Sequence, residues 1–322
     1  MKDKNIRSAR IKKSSSSKAA ILLYHQVIDV EYDPYELAVS PRIFRAQMKY
    51  LKKNYNVISL DKLVSGLKQK RVPKRSIVVT FDDGYFDNYL YARPILESLQ
   101  VPATFFVSTA FINTDKAFWW DRLARVFHPK RKLPAILSLR INKIDFTCKF
   151  STAGKRKDDF WRIYHLLKCS PPRVIERSIS YLEQWAKLRG GQEVLYRTMN
   201  GEELKRLAES RLFLIGAHTH YHSSLSQQTT VLQSREIRQS KQILEKITET
   251  PIRFFSYPYG SKKDYNAQAV RILRECGFEA ACSVYSATVD GRANPYELPR
   301  WCLGNWWNLT RFKLGLDWLF SL

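Results

Sequence analysis

The residues best equipped for chemistry are two adjacent carboxylates, Asp82 and Asp83, and three alternating histidines, His218, His220 and His222. Asp82-Asp83-Gly84 follows the apolar run SIVVTF at 76–81. Successive strand residues point to opposite faces, so neighbouring carboxylates share a site only where the chain turns, and Gly84 permits that turn. His218 and His222 are four apart, so on a helical turn their imidazoles would leave one face and His220 would point away. Three of the six histidines fall in this segment, and metal binding accounts for such clustering better than an accidental polar turn does. Two imidazoles and one carboxylate leave coordination positions open, as a catalytic rather than a structural zinc site does. Non-haem iron oxygenases use the same ligand types. A second, unligated carboxylate beside the metal favours hydrolysis, because it supplies a general base.

The elements that must position these groups are short apolar runs alternating with helical patterns. Strand candidates are 20–27, 56–59, 76–81, 103–108, 212–216, 254–257 and 280–284. Helices are expected from the Ser40-Pro41 start, over 89–99, 201–209, 234–248 and 267–276, the last closed by Gly277. Seven strands separated by helices imply an α/β fold with a parallel sheet, closed as a barrel or open. Catalytic groups in such folds gather at the carboxyl ends of strands. Residues 115–199 break the rhythm, are rich in Lys and Arg, and read as a largely helical insertion within a domain spanning 19–322. Residues 1–18 carry seven basic side chains and no apolar periodicity, and are expected to be a disordered tail.

Over 322 residues, 54 Lys and Arg oppose 30 Asp and Glu, a net charge of +24. Such a surface attracts anionic lipid or acidic glycan, or is simply solvated. Nucleic acid is not expected as a partner, since no nucleic-acid-binding signature accompanies the charge. The five cysteines form no Cys-x-x-Cys pair and suit free thiols in a reducing compartment. The apolar run at 19–24 is too short for a signal peptide, and no stretch is long enough to cross a membrane. A cytoplasmic protein, peripheral at most to a membrane, is the expectation.

Val79-Thr80-Phe81-Asp82-Asp83-Gly84, His218-Thr219-x-x-His222 and Tyr257-Pro258-Tyr259-Gly260 resemble, in order and spacing, the three leading motifs of the polysaccharide deacetylase family, the NodB-type carbohydrate esterases of family four. Leu23-Tyr24-His25-Gln26-Val27, 103–107 and Leu298-Pro299-Arg300 extend the likeness. The resemblance implies a distorted (β/α)7 barrel. It also implies Asp82 as general base, Asp83, His218 and His222 as ligands of a metal, usually Zn2+, and the Tyr259 N–H as an oxyanion donor. Two family features are missing. Ser256 stands where many members carry an Arg, and no histidine follows His222 to act as general acid. His25, at the end of the first strand, is the candidate acid, and Arg300 the candidate replacement that orients Asp82.

The reading is thus a metal-dependent hydrolase removing N-acetyl groups from a sugar, glycan or glycan precursor, with a glycosyltransferase as a candidate partner. A deformylase or other small-amide hydrolase, and an inactive glycan-binding protein, are the alternatives. Trp119 and Trp120 are expected in the core, with the rim of a sugar groove as their functional alternative. Leu309, Phe312, Leu316 and Leu319 form a stripe expected to dock on the barrel rather than lie in a membrane interface.

Overall fold

The structure, a computed structural model, describes residues 17–150, 152–188 and 196–321. The basic tail expected at 1–18 lies almost wholly outside the described residues. Strands β1 (Ala19–Tyr24), β2 (Asn56–Val57), β3 (Ser76–Phe81), β4 (Ala103–Val107), β7 (Phe213–Ala217), β8 (Phe254–Ser256), β9 (Ala280–Cys282) and β10 (Trp301–Cys302) form one parallel sheet. Its main path runs β10-β1-β3-β4-β7-β8-β9. Leu298 closes the ring: its N–H donates to Ala281 at 2.9 Å and its carbonyl accepts from Ser283 at 2.8 Å, beside β9. The result is a distorted seven-stranded (β/α) barrel.

The expected number of strands is found, but one member differs. Residues 56–59 yield only the two-residue β2, which hangs on the side of β3, while the seventh place in the ring belongs to β10. The strands β1 and β3 are buried at every position, as continuous apolar runs in a helix-covered parallel sheet should be.

Helices α1 (Pro41–Asn54), α2 (Leu60–Lys68), α3 (Arg93–Ser98), α7 (Gly201–Ala208), α8 (Thr230–Thr248), α9 (Ala267–Glu275) and α10 (Leu309–Ser321) accompany the barrel. The Ser40 hydroxyl caps α1 by accepting from the Ile43 N–H, with Pro41 in the first turn. In α10, Phe312, Leu316 and Leu319 are buried, and Tyr50 and Trp301 meet the Phe312 ring. The apolar stripe docks on the barrel, as expected.

Between β4 and β7 the chain makes α4 (Trp119–Val126), the antiparallel hairpin β5 (Ile136–Ile141) and β6 (Ile144–Lys149), α5 (Ala153–Lys168) and α6 (Pro172–Trp185). The hairpin is an addition to the largely helical insertion expected there. Its alternation of buried Leu137, Leu139 and Ile141 with exposed neighbours is period two, and Asn142 takes the left-handed turn at φ +56°. These elements share an apolar cluster distinct from the barrel core, built on Phe118, Trp119, Trp120, Phe127, Phe160 and Ile163.

Candidate active site

The barrel register brings the functional residues to one rim. Tyr24 pairs with Phe81 and Val107 with Ala217, so His25, Asp82 and His218 each lie one residue beyond a paired strand end. The Asp82 N–H donates to Tyr24 at 3.0 Å and the His218 N–H to Val107 at 3.1 Å, which fixes both at that level.

Asp83 is itself the centre of the turn. Its φ is +70°, and the Gly84 N–H donates back to the Asp82 carbonyl at 2.9 Å, closing a three-residue γ-turn. Gly84 follows at φ +84°, where a Cβ would come within 2.8 Å of Val107. The turn lets both carboxylates enter the barrel mouth. Tyr259 repeats the device at φ +61°, with the Gly260 N–H donating to Pro258 at 2.7 Å. The Tyr259 N–H makes no hydrogen bond among the described residues.

The histidines converge by a different route from the helical turn expected of them. Residues 218–222 form a loop in which Thr219 (φ +62°) and His222 (φ +58°) are left-handed. The Glu236 carboxylate on α8 holds that loop, accepting from the His220 and Tyr221 N–H groups at 3.0 and 2.8 Å. His220 turns away, its Nδ1 2.8 Å from the Thr109 hydroxyl. The Nε2 atoms of His218 and His222 lie 3.4 and 3.2 Å from Asp83 Oδ1. Two ligands at about 2.0–2.1 Å from a tetrahedral zinc would be roughly 3.3 Å apart. The three ligand atoms lie within 4.8 Å of one another, and all three residues are buried.

Two further observations fit a cation here. Asp83 Oδ1 is buried with no hydrogen-bond partner, a costly state for a carboxylate with nothing bound. The His218 Nδ1–H donates to the Ser256 carbonyl at 2.8 Å, which leaves the Nε2 lone pair facing Asp83. Burial pushes the Asp83 carboxyl up, but the close approach of the His218 and His222 imidazoles, with the charges of His222 and His25, outweighs it and holds the group far below the usual range.

Asp82 is held differently. Arg300 Nη1 donates to its Oδ1 at 2.7 Å and Nη2 to its Oδ2 at 2.6 Å. Ser256 completes the clamp: its hydroxyl donates to Asp82 Oδ2 at 3.0 Å and accepts from Arg300 Nη2 at 2.7 Å. Burial raises the Asp82 carboxyl, yet the Arg300 guanidinium and His218 lower it below the ordinary carboxylate value. Arg300 is fully buried. It holds the Asp82 carboxylate from inside the barrel, in the orienting place expected of it.

His25 reaches the same rim. Burial lowers its imidazole pKa, opposed by the charges of Asp83 and Asp82, and its Nδ1 is buried without a partner. Trp119 and Trp120, at 4% and 5% exposure, back the site from the core. The Trp120 ring lies 4.5 Å from the His222 ring, and Phe118 stacks on Trp120 at 4.4 Å. Trp120 packs against His222 and Trp119 packs edge-on against Trp120, so neither borders an open groove.

Sequence reading passed over Lys168, Asp264 and Glu236. Lys168 comes from α5, lies 4.2 Å from the Tyr259 ring centre and pairs with Asp264 at 2.7 Å. A lysine in a charge-rich segment carries no local signal of that long-range role.

The profile of the polysaccharide deacetylase family matches residues 69–129 and 180–281, together half of the chain. The unmatched interval between them holds the hairpin and α5. YxkH of Bacillus subtilis, which bears the same family name, is 35% identical over 102 residues, 31% of this chain and 35% of that protein. The poly-β-1,6-N-acetyl-D-glucosamine N-deacetylase of Escherichia coli K12 is 30% identical over 93 residues, 28% of this chain and 14% of that one. These matches span about a third or less of each relative's length. Streptococcus pyogenes deacetylase PplD, solved with acetate, superposes at TM-score 0.56 with 17% identity, covering 93% of this chain and 98% of that one. IcaB from Ammonifex degensii does so at 0.57 with 16% identity, covering 95% and 98%. At such identities the superpositions speak for the fold.

Proposed function

The chain belongs to the polysaccharide deacetylase family, and from that membership we propose that it is a metal-dependent hydrolase removing N-acetyl groups from an N-acetylated glycan or glycan precursor. One observation carries the reading: the two adjacent carboxylates have separate tasks. Asp83 faces two imidazole Nε2 atoms, while Asp82 is clamped by Arg300.

Asp83, His218 and His222 would hold the cation, with Zn2+ suited to this donor set. When bound, it supplies Lewis-acid polarisation of the acetamide carbonyl and lowers the pKa of water. Asp82, kept ionised and oriented by Arg300 and Ser256, takes the proton from the attacking water. The free Tyr259 N–H, presented by its γ-turn, donates to the oxygen on which negative charge develops. His25 delivers a proton to the departing amine, which would otherwise leave as an amide anion.

The names of the Escherichia coli and Staphylococcus aureus relatives point to poly-β-1,6-N-acetylglucosamine as the first substrate to try. By the same proposal the protein works in the cytoplasm, at an anionic membrane surface, beside a glycosyltransferase that supplies the glycan. Its five free cysteines support the compartment. The +24 charge supports the surface contact. Among the described residues, no helix is long and apolar enough to cross a membrane.

Acetate release from N-acetylglucosamine oligomers, measured with metal content, tests the reading. Stoichiometric metal with acetate release is the expected result. Formate release instead of acetate would move the protein to the small-amide hydrolases. Glycan binding without metal or turnover would make it a binding protein.

A further inference from the structure

Beside the catalytic rim, the segment 26–37 and α4 enclose a cavity of about 520 Å³ that the proposed mechanism leaves unused. Its size falls within the roughly 300–1,000 Å³ range of small-molecule sites. The wall has the opposite charge from the rest of the chain. Six carboxylates line it against three Lys and Arg, in a protein of net charge +24. All three cations are engaged: Lys116 with Glu176, Arg122 with Glu176 and Glu183, and Arg125 with Glu183. Asp29, Asp33 and Asp115 have no ion-pair partner among the described residues, whereas burial pushes the Asp121 carboxyl well above its ordinary value and favours its neutral form. A concave wall focuses the field of such charges on whatever enters.

A second observation points to a polar occupant. Gln26 is 6% exposed, lines the cavity, and its Nε2 has no hydrogen-bond partner. An unsatisfied buried donor is costly, and a polar group entering the cavity would relieve it. A bare metal ion is not the match. Among the described residues, the one group of His, Cys, Asp or Glu close enough to share an ion is Asp83, His218 and His222. The cavity carboxylates are too dispersed, and suit a charge carried on a larger molecule. Tyr85 links the cavity to the catalytic centre. Its hydroxyl donates to Asp121 at 2.9 Å and accepts from Trp120 Nε1 at 2.7 Å, and the Trp120 ring lies 4.5 Å from that of His222.

We propose that this cavity is a subsite for an amino-sugar unit bearing a free ammonium, a unit of the glycan that has already lost its acetyl group. The dispersed carboxylates hold the ammonium, and a ring oxygen accepts from Gln26 Nε2. The inference rests on the glycan reading above. It means that the favoured substrate is a partly deacetylated chain, one end of which anchors in the cavity.

Calorimetric titration of the full, metal-loaded chain at pH 6 tests this with two probes, a β-1,6-linked glucosamine tetramer and its glucose counterpart. Neither carries an acetyl group, so turnover does not interfere. The glucosamine tetramer is expected to bind at least about tenfold tighter, one tenfold step being about 1.4 kcal/mol. The Asp29→Asn/Asp115→Asn double variant is expected to lose that preference. Both side chains are exposed and unpaired, so a melting curve should show an intact fold. Equal affinities, no binding of either probe, or an unchanged preference in the variant would overturn the subsite. The deacetylase reading fails on a different result, the absence of acetate release, so the two can fall separately.

Discussion

Arg300 and Asp82 form a two-pronged ion pair inside the closed barrel, at 2.7 and 2.6 Å, across 218 residues of sequence. The guanidinium also meets the Ser256 hydroxyl and the Ser283 carbonyl, so its planar fork is nearly saturated. Lysine cannot reproduce that geometry. Arg300→Lys should lower kcat roughly 100-fold with little change in KM, since it misplaces the base and touches no substrate. Because Arg300 depresses the Asp82 carboxyl, the acid limb of the kcat–pH profile should also move to higher pH. A pH profile that merely scales down would refute the orienting role. Stability should fall as well, because breaking a buried pair costs about 3–5 kcal/mol, so kcat must be read well below the variant's melting temperature.

The ligand assignment predicts three equivalent lesions. Asp83→Ala, His218→Ala and His222→Ala should each reduce bound metal to background in elemental analysis of purified protein. In the wild type, chelation should lower the melting temperature, since an ion at 100 times its Kd contributes about 2.7 kcal/mol. His220→Ala should keep its metal, because that ring faces Thr109. Metal loss in His220→Ala but not in His222→Ala would reverse the assignment.

His25 can be isolated by the leaving group. Protonation is required when an amine departs, and is dispensable when an activated ester releases a stable alkoxide. His25→Gln should therefore lose about 100-fold on an N-acetylated sugar and less than about threefold on an activated acetate ester. Equal losses on both would show that His25 only shapes the site.

Much of this centre was legible because its residues are local: the strand before Asp82-Asp83-Gly84 and the histidine spacing are contiguous signals. What the residues do there was less so. The left-handed φ of Asp83, Thr219, His222 and Tyr259 could not be read, because none is glycine and surrounding packing forces the conformation. The closing strand Trp301–Cys302 is too short to show a period. The β5–β6 hairpin did carry an alternating pattern, hidden by the basic composition around it. Ser256 reads as a lost arginine in one dimension; in three, Arg300 fills its place.

Asp87 offers a pH test away from the reacting groups. It is fully buried, its Oδ1 accepts from Val27 N–H at 2.7 Å and Asn88 Nδ2 at 2.8 Å, and its Oδ2 has no partner. Burial raises its pKa to about 7. The unfolded chain releases this proton near the ordinary value, about 4, so between there and about 7 the native state binds more protons. Stability contributed by the neutral form is complete at low pH and is lost as pH rises through about 7. Asp87→Asn keeps the Oδ1 acceptor and removes the ionisation. Its melting temperature should depend less on pH between 5 and 8, and should exceed the wild type's at pH 8. A parallel pair of Tm–pH curves would show that Asp87 does not titrate in this window.

The proposed membrane contact can be tested on the outer face of α10. Its apolar stripe is spent on the barrel, but Leu314 and Trp318, one turn apart, are 65% and 50% exposed. Trp306 is 46% exposed, and its carbonyl accepts from Arg311, which brings a cation to the patch. Aromatic side chains beside basic ones favour the interface of an anionic bilayer. The protein should float with vesicles containing anionic lipid at low salt, and not with zwitterionic ones. Because the attraction is screened within about 8 Å at physiological ionic strength, added salt should weaken it severalfold. Trp318→Ser with Leu314→Ser should weaken it further at constant charge. Wild-type protein that stays at the bottom of the gradient at low salt would remove the membrane from the proposal and leave the net charge as a solvated surface.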